Sequence, residues 1–182
     1  LQAKGIKNIL GLRGDFPDGY DPQTPRDFQY ASDLIARIKE LGDFCVGAAC
    51  YPEGHIESVD KSQELEHLRL KVEAGADFFT TQMFFDNNIF FNFMYRLRDA
   101  GITIPVLPGI MPITAPGQIR RIKTLAEANL PADLLALMDR FHDRPEAMKQ
   151  AGIVYASHQI IDLIANGVNA IHIYTMNKPD IV

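Results

Sequence analysis

The sequence lacks several features that would assign its function directly. No apolar run approaches the roughly 18 residues that cross a membrane. We also expect no signal peptide, since the first residues do not have the pattern of one. Basic residues form no block, and the net charge of −5 argues against a nucleic-acid-binding face. No GxGxxG follows a predicted strand, and no GxxxxGK followed by Ser or Thr occurs, which excludes the usual nucleotide signatures of open α/β sheets.

Cysteine is scarce as well. Cys45 and Cys50 share one apolar run, and their spacing fits neither a CxxC redox pair nor a zinc site. We therefore expect two buried free thiols, in keeping with a reducing cytoplasm. His55 with Glu53 is too sparse for a metal, the other histidines are scattered, and no Ser-His-Asp or Cys-His arrangement is supported. No metal site is predicted.

What the chain does contain is a repeated unit within 182 residues, 47% of them hydrophobic, a length typical of one domain. A glycine able to close a helix in the left-handed conformation precedes each of five β-rich runs. The glycines are Gly5, Gly42, Gly75, Gly101 and Gly167, and the runs are residues 7–12, 44–51, 77–85, 104–110 and 169–176. The runs barely alternate, which is typical of parallel strands covered on both faces.

Amphipathic stretches between these runs predict helices. Asp27 is expected to cap the first, whose inward residues would be Phe28, Ala31, Ile35, Ile38 and Leu41. The next two carry Leu65, Leu68 and Val72, and, after Asp86, Ile89, Phe90, Phe93, Met94 and Leu97. A fourth begins near Thr114 with Ile119, Ile122 and Leu125 inward, a short one covers residues 134–141, and a long one runs from about Pro145 to Ala165.

Alternating strands and helices predict an α/β fold with a parallel sheet, either doubly wound or a (β/α)8 barrel. Polar residues at the strand ends favour the TIM-barrel type, where they would share one rim. They are Arg13, Asp15, Tyr51, Glu53, His55, Gln82, Thr175 and Asn177. Only about five of eight βα units are present, and the chain opens at Leu1 as if in a helix, so we expect about three units to precede it.

Each candidate group also has a purely structural interpretation. Arg13 and Asp15 could be a surface ion pair, residues 51–55 a solvated loop, and Gln82 a residue paired with backbone. Glu64 and Lys71 would ordinarily lie on a solvated helix face. The aromatic residues Phe84, Phe85, Phe90, Phe91 and Phe93 are expected to be core.

Five ordered stretches resemble the methylenetetrahydrofolate reductase family. They are NILGLRGD at residues 8–15, ACYPEGH at 49–55, TQMFFD at 81–86, PGIMP at 108–112 and IYTMN at 173–177. The resemblance implies a (β/α)8 barrel that holds FAD at the strand ends, so residues 1–182 would be a partial flavin-binding barrel domain. It also implies ping-pong hydride transfer from NADH or NADPH through FAD to 5,10-methylenetetrahydrofolate, giving 5-methyltetrahydrofolate for methionine biosynthesis in the cytoplasm.

The resemblance also implies roles for individual residues. Asp15 would be the carboxylate near the flavin and the folate, where it stabilises the cationic iminium; it would thus be catalytic and contact both cofactor and substrate. Gln82, Gln118 and Lys178 would bind the folate, Lys178 replacing a common arginine. FAD would be contacted by Arg13, Gly14, Asp15, Tyr30, Ala31, Tyr51, His55, Ser58, Glu64, His67 and Lys71. The resemblance also implies a general-acid glutamate on a first strand, which we expect to precede Leu1.

Two other hypotheses compete with a flavin reductase. A truncated, inactive barrel could serve as a folded remnant or an oligomerisation partner. A barrel enzyme for a phosphate ligand would need a glycine-rich loop after the last strands, where the chain instead continues as Lys178-Pro179-Asp180. We expect a homo-oligomer that acts on a small-molecule folate.

Overall fold

The computed structural model describes residues 1–14, 19–21, 24, 26–54, 61–119, 122 and 128–181. Its strands are β1 (Asn8–Gly11), β2 (Cys45–Cys50), β3 (Phe78–Thr81), β4 (Val106–Leu107), β5 (Gly109–Ile110) and β6 (His172–Ile173). All five predicted β-rich runs are therefore confirmed, the fourth being split into β4 and β5. The strands are parallel, in the order β1-β2-β3-β4, with β5 paired to β6.

The split at Pro108 marks a change of partner. Before the proline, Phe79 and Thr80 of β3 pair with β4. After it, Gly109 N–H donates to the Thr81 hydroxyl at 2.8 Å instead of to a strand carbonyl. The stretch then pairs with β6, where His172 N–H donates to the Pro108 carbonyl at 2.9 Å. Residues 106–110 thus link the four-stranded sheet to β6, as one strand of a curving partial barrel does.

The predicted helices are confirmed, with one start displaced. They are α1 (Ala31–Leu41), α2 (Lys61–Glu73), α3 (Asn87–Asp99), α4 (Ala132–Phe141) and α5 (Pro145–Ala165). The prediction that Asp27 caps α1 is wrong, because the cap residue is Tyr30, whose N–H donates to the Asp33 carboxylate at 2.9 Å. Of the predicted helix from Thr114, residues 116–119 and 122 are helical, and Leu125 lies outside the described residues.

The sheet and helices enclose the predicted aromatic core. Phe84, Phe85, Phe90 and Phe93 are at most 2% exposed, and Phe91 packs against the cluster that contains Phe84 and Phe90. Two predicted inward residues of the first helix are instead exposed, Phe28 by 37% and Leu41 by 59%, because the helix starts later and ends at the surface. No helix in the described part of the chain combines the length and apolarity that a membrane crossing needs.

Two predictions about small residues need correction. Cys50 is buried, as expected, but Cys45 is exposed because it begins β2, ahead of the buried residues of that strand. Four of the five helix-closing glycines have positive φ, whereas Gly42 is extended at φ 165°, so the left-handed prediction is wrong there. Gly42 is still restricted, since an added Cβ would lie 3.0 Å from the Gln2 side chain.

Candidate active site

The carboxyl ends of the parallel strands form one rim, as predicted. Arg13 follows β1, Tyr51 follows β2, Gln82 follows β3, and the segment 174–178 follows β6. Because the strands are parallel, Arg13, Tyr51 and Gln82 lie at the same edge of the four-stranded sheet, and the segment 174–178 lies at the corresponding edge of the β5-β6 pair. Asp15, His55 and Ser58, which the resemblance also places in the site, lie outside the described residues.

A groove opens at the β1 end of the rim. It has a volume of about 340 Å³ and is lined by Leu12, Arg13, Arg26, Asp27, Phe28, Tyr30 and Leu34. The structure thus brings together Arg13 and Tyr30, two of the residues expected to contact FAD, although they are 17 positions apart in the chain. Ala31, the neighbouring expected contact, begins α1 beside them. The prediction did not include Arg26 and Phe28.

Near the β2 end of the rim, two charged residues of α2 lie on the helix face that packs against the sheet. Glu64 is only 3% exposed, and the Lys71 ammonium donates to the Ala49 carbonyl of β2 at 2.9 Å. The expectation that both lie on a solvated face is therefore wrong: seven residues apart, they share the helix face that packs on the sheet. His67, between them, is exposed.

Burial governs the electrostatics of this cluster. Loss of water lowers the pKa of Lys71, while the carboxylate of Glu64 acts in the opposite direction. The Arg13 cation lowers the pKa of Lys71 further. Burial also raises the pKa of the Cys50 thiol well above its usual range, which makes Cys50 an unreactive neutral side chain. The Lys71 nitrogen lies 5.9 Å from the centre of the Tyr51 ring.

The loop after Tyr51 is anchored rather than solvated. Pro52 is buried, and its carbonyl accepts a hydrogen bond from the Arg96 guanidinium at 3.1 Å. The Glu53 carboxylate accepts a hydrogen bond from the Asn129 N–H at 2.9 Å. The other carboxylate oxygen of Glu53 is buried and has no partner within the described residues. Burial therefore raises the pKa of Glu53, although the Asn129 bond opposes the shift. The loop that presents Tyr51 is held from two sides.

Gln82 and Gln118, both expected to bind substrate, have different environments. The side-chain oxygen of Gln82 accepts a hydrogen bond from the Met83 N–H at 3.0 Å, so it pairs with backbone. The side-chain amide nitrogen of Gln82 makes no hydrogen bond in the described part of the chain. The side-chain oxygen of Gln118 accepts hydrogen bonds from the Thr114 N–H, the Thr114 hydroxyl and the Ala115 N–H, at 2.8 to 3.2 Å. Gln118 therefore caps the turn at residues 116–119, and its substrate role stays a prediction.

The β6 end of the rim is joined to β3 and contains backbone strain. The Tyr174 hydroxyl donates to the Thr81 carbonyl at 2.8 Å, and Gly109 beneath them has no room for a Cβ, which would lie 2.5 Å from that oxygen. Met176 and Asn177 follow with φ of 50° and 60°, and Lys178 N–H closes the turn on the Thr175 carbonyl at 3.0 Å. Consecutive left-handed residues other than glycine are uncommon and occur at functional sites. The turn leaves Lys178 exposed.

A parallel α/β unit with its polar groups gathered at the strand ends has the architecture of the barrel class. Among the described residues, no three His, Cys, Asp or Glu side chains form a group that could hold a metal ion. The arrangement fits the binding of an organic ligand at the rim. Positively charged side chains lie at the groove, at Lys71 and at Lys178.

Comparison with known proteins identifies the family. The family model described as methylenetetrahydrofolate reductase matches residues 1–182. The chain is 36% identical over 97% of its length to methylenetetrahydrofolate reductase (NADH) 1 of Zea mays, 32% of which it covers. It is 35% identical to 5,10-methylenetetrahydrofolate reductase of Escherichia coli, and the alignment covers 97% of this chain and 58% of that protein. The chain belongs to the methylenetetrahydrofolate reductase family.

A solved structure supports the fold independently. An uncharacterized protein from Clostridium thermocellum that binds two copies of 5-methyl-5,6,7,8-tetrahydrofolic acid aligns with a TM-score of 0.52 at 16% identity. The alignment covers 78% of this chain and 50% of that one. The fold is thus α/β of the TIM-barrel type with a partial sheet. The chain spans about a third to three fifths of the length of the curated relatives above.

Proposed function

We propose that the protein containing this chain reduces 5,10-methylenetetrahydrofolate to 5-methyltetrahydrofolate, using FAD and hydride from NADH or NADPH. The observation that carries the proposal is the family match over the whole chain. A folate ligand is also supported by the fold neighbour that binds methyltetrahydrofolate. The relative from Zea mays is named for NADH, which favours NADH as the donor here. We expect the protein to act in the cytoplasm as a homo-oligomer, with residues 1–182 as part of its flavin-binding barrel domain.

The residues at the β1 and β2 ends of the rim fit FAD. The groove offers the Arg13 cation and the exposed Tyr30 ring, and Lys71 lies beside Tyr51 at the next strand. Arginine and lysine suit the phosphates of a dinucleotide, and tyrosine rings suit its flat groups. We assign cofactor binding to these residues together with Gly14, Ala31, Glu64 and His67, and, from the resemblance alone, to Asp15, His55 and Ser58. When bound, FAD would accept and pass on hydride.

At the other end of the rim, the chain's own residues would hold the folate. The amide nitrogen of Gln82 is available to donate to a pterin ring, and Gln118 would serve the same ligand from the turn after Thr114. The Lys178 ammonium, presented by the strained turn, would pair with a carboxylate of the folate. Asp15 would stabilise positive charge that develops on the substrate ring.

The identity of the cofactor tests this assignment. The purified protein should carry FAD and not FMN, because Arg13, Lys71 and their neighbours extend over two strand ends and so suit a dinucleotide. Heat denaturation followed by mass spectrometry of the released flavin gives the answer. Release of FMN alone would refute the assignment, as would failure of the flavin-free protein to take up added FAD.

A further inference from the structure

Two side chains of α5 hold the backbone of the segment that follows β3. The Gln159 side-chain nitrogen donates to the Phe84 carbonyl at 2.9 Å, and the Tyr155 hydroxyl donates to the Phe85 carbonyl at 2.8 Å. Because a helix repeats every 3.6 residues, Tyr155 and Gln159 lie on one face of α5. Gln159 is buried, and burial raises the pKa of Tyr155 to about 12, so its hydroxyl remains a donor at neutral pH. One helix therefore binds two consecutive carbonyls of this segment.

Asn87 extends the contact to the start of α3. Its side-chain nitrogen donates to the Gln159 carbonyl at 2.9 Å and to the Asp162 carboxylate at 2.7 Å. Apolar packing between a helix and a loop is non-directional and allows small shifts, whereas hydrogen bonds constrain both distance and angle. The segment 84–87 is therefore fixed in position on α5 rather than only packed against it.

Gln82 lies just before this anchored segment. Its own N–H donates to the Cys50 carbonyl of β2 at 2.8 Å, and its side-chain oxygen accepts from the Met83 N–H at 3.0 Å. Two residues of extended chain span at most about 7 Å, so little slack separates Gln82 from the carbonyl that α5 holds at Phe84. A displacement of the segment 84–87 would therefore move the Gln82 side chain.

The same face of α5 also meets the segment that leads to Gln118. Gly152 packs on the backbone of Ile113, where an added Cβ would overlap the carbonyl oxygen. Ile113 directly precedes Thr114, whose N–H donates to the Gln118 side-chain oxygen at 2.8 Å. The helix α5 is thus in contact with both segments whose glutamines are assigned to the folate.

We propose that Tyr155 and Gln159 are positioning residues for the folate, which set the place of the Gln82 amide relative to Gln118. This inference rests on the proposed function, since it assumes that the two glutamines bind folate. Both residues act through the backbone carbonyls of residues 84 and 85. They would therefore determine affinity for the folate, while flavin binding at the β1 and β2 ends of the rim would not depend on them.

The test is a double-mutant cycle on the full-length protein, measured as affinity for 5-methyltetrahydrofolate by isothermal titration. The flavin is kept reduced, so that no hydride can be transferred to it. Gln159→Met has a side chain of similar length without the amide and should weaken binding about fivefold to tenfold, the worth of one hydrogen bond to the ligand. In a Gln82→Ala background the same exchange should cause no further loss, because the residue through which it acts is gone.

A milder variant and two matched controls complete the design. Tyr155→Phe removes one hydroxyl and should also weaken folate binding, again without further loss in the Gln82→Ala background. Gln150→Met makes the same exchange at an exposed position of α5, and Tyr95→Phe does so at a ring of α3 that is 74% exposed. Both controls should bind the folate as the unchanged protein does. If Gln159→Met does not fold, Tyr155→Phe decides the question.

Four results would overturn the inference. Unchanged folate affinity in the folded variants would show that α5 does not position Gln82, while the proposed function would stand. Losses that add to that of Gln82→Ala would show that Tyr155 and Gln159 do not act through it. Equal loss of flavin and folate affinity would indicate a general loosening of the rim. Failure of the unchanged protein to bind the folate would refute the proposed function, and the inference with it.

Discussion

Asp15→Asn is expected to slow the reaction with methylenetetrahydrofolate by about 10²–10³ while leaving flavin reduction by NADH nearly unchanged. Asp15 is assigned to the charge that appears when the folate opens to its iminium cation, and stabilising developing charge typically supplies an effect of this size. Reduction by the nicotinamide involves no such cation. The variant should also have a higher flavin midpoint potential, because losing a negative charge makes the reduced anion easier to form.

Rapid mixing of each half-reaction separately measures this effect. Asp99→Asn, an exposed aspartate at the end of α3, serves as the matched control and should change neither rate. Equal slowing of both half-reactions would show that Asp15 only positions the loop or the flavin. If neither rate changes, the role assigned through the family resemblance is wrong.

Gly152→Ala is expected to destabilise the fold by about 3 kcal/mol, at the upper end of the usual cost of overpacking. An added Cβ at Gly152 would overlap the Ile113 carbonyl oxygen and lie 2.6 Å from its carbon. These are backbone atoms of the segment after β5, so no side-chain rotation relieves the overlap, and α5 would have to move away from the sheet. Urea unfolding of the flavin-free protein measures the free energy directly.

Gly117→Ala is the matched control for this substitution. No atom lies within 4 Å of the Cβ that it adds, and residues 116–119 are helical. Alanine is favoured over glycine inside a helix by about 0.5–1 kcal/mol, so this variant should be slightly more stable. If Gly152→Ala unfolds at the same urea concentration as the unchanged protein, then α5 does not pack on the backbone of Ile113.

The order of strands and helices was predictable because local patterns determine it. Apolar runs such as residues 44–51, each entered through a glycine, form strands wherever both faces are covered. The change of partner at Pro108 was not predictable in this way. It depends on the hydroxyls of Thr81 and Tyr174, residues 93 positions apart in the chain, which the fold brings together.

The candidate site was predictable where residues directly follow strands, as Arg13, Tyr51 and Gln82 do. The burial of Glu64 and Lys71 on α2 was not predictable, because their pattern resembles an ordinary solvated helix face. The Lys71 ammonium donates to the Ala49 carbonyl, a partner 22 residues earlier in the chain, and no local pattern indicates this contact. Arg26 was missed for a similar reason, since its position depends on Tyr20 and a displaced helix start rather than on a strand end.

The central claim is that reduced flavin on this protein is oxidised by a folate. The most direct test is to reduce the purified protein with NADH in the absence of oxygen, remove the nicotinamide, and add 5,10-methylenetetrahydrofolate. The flavin should be reoxidised, with one 5-methyltetrahydrofolate formed for each flavin, as chromatography of the mixture would show. A flavin that stays reduced until oxygen is admitted, with no methyltetrahydrofolate formed, would contradict the account.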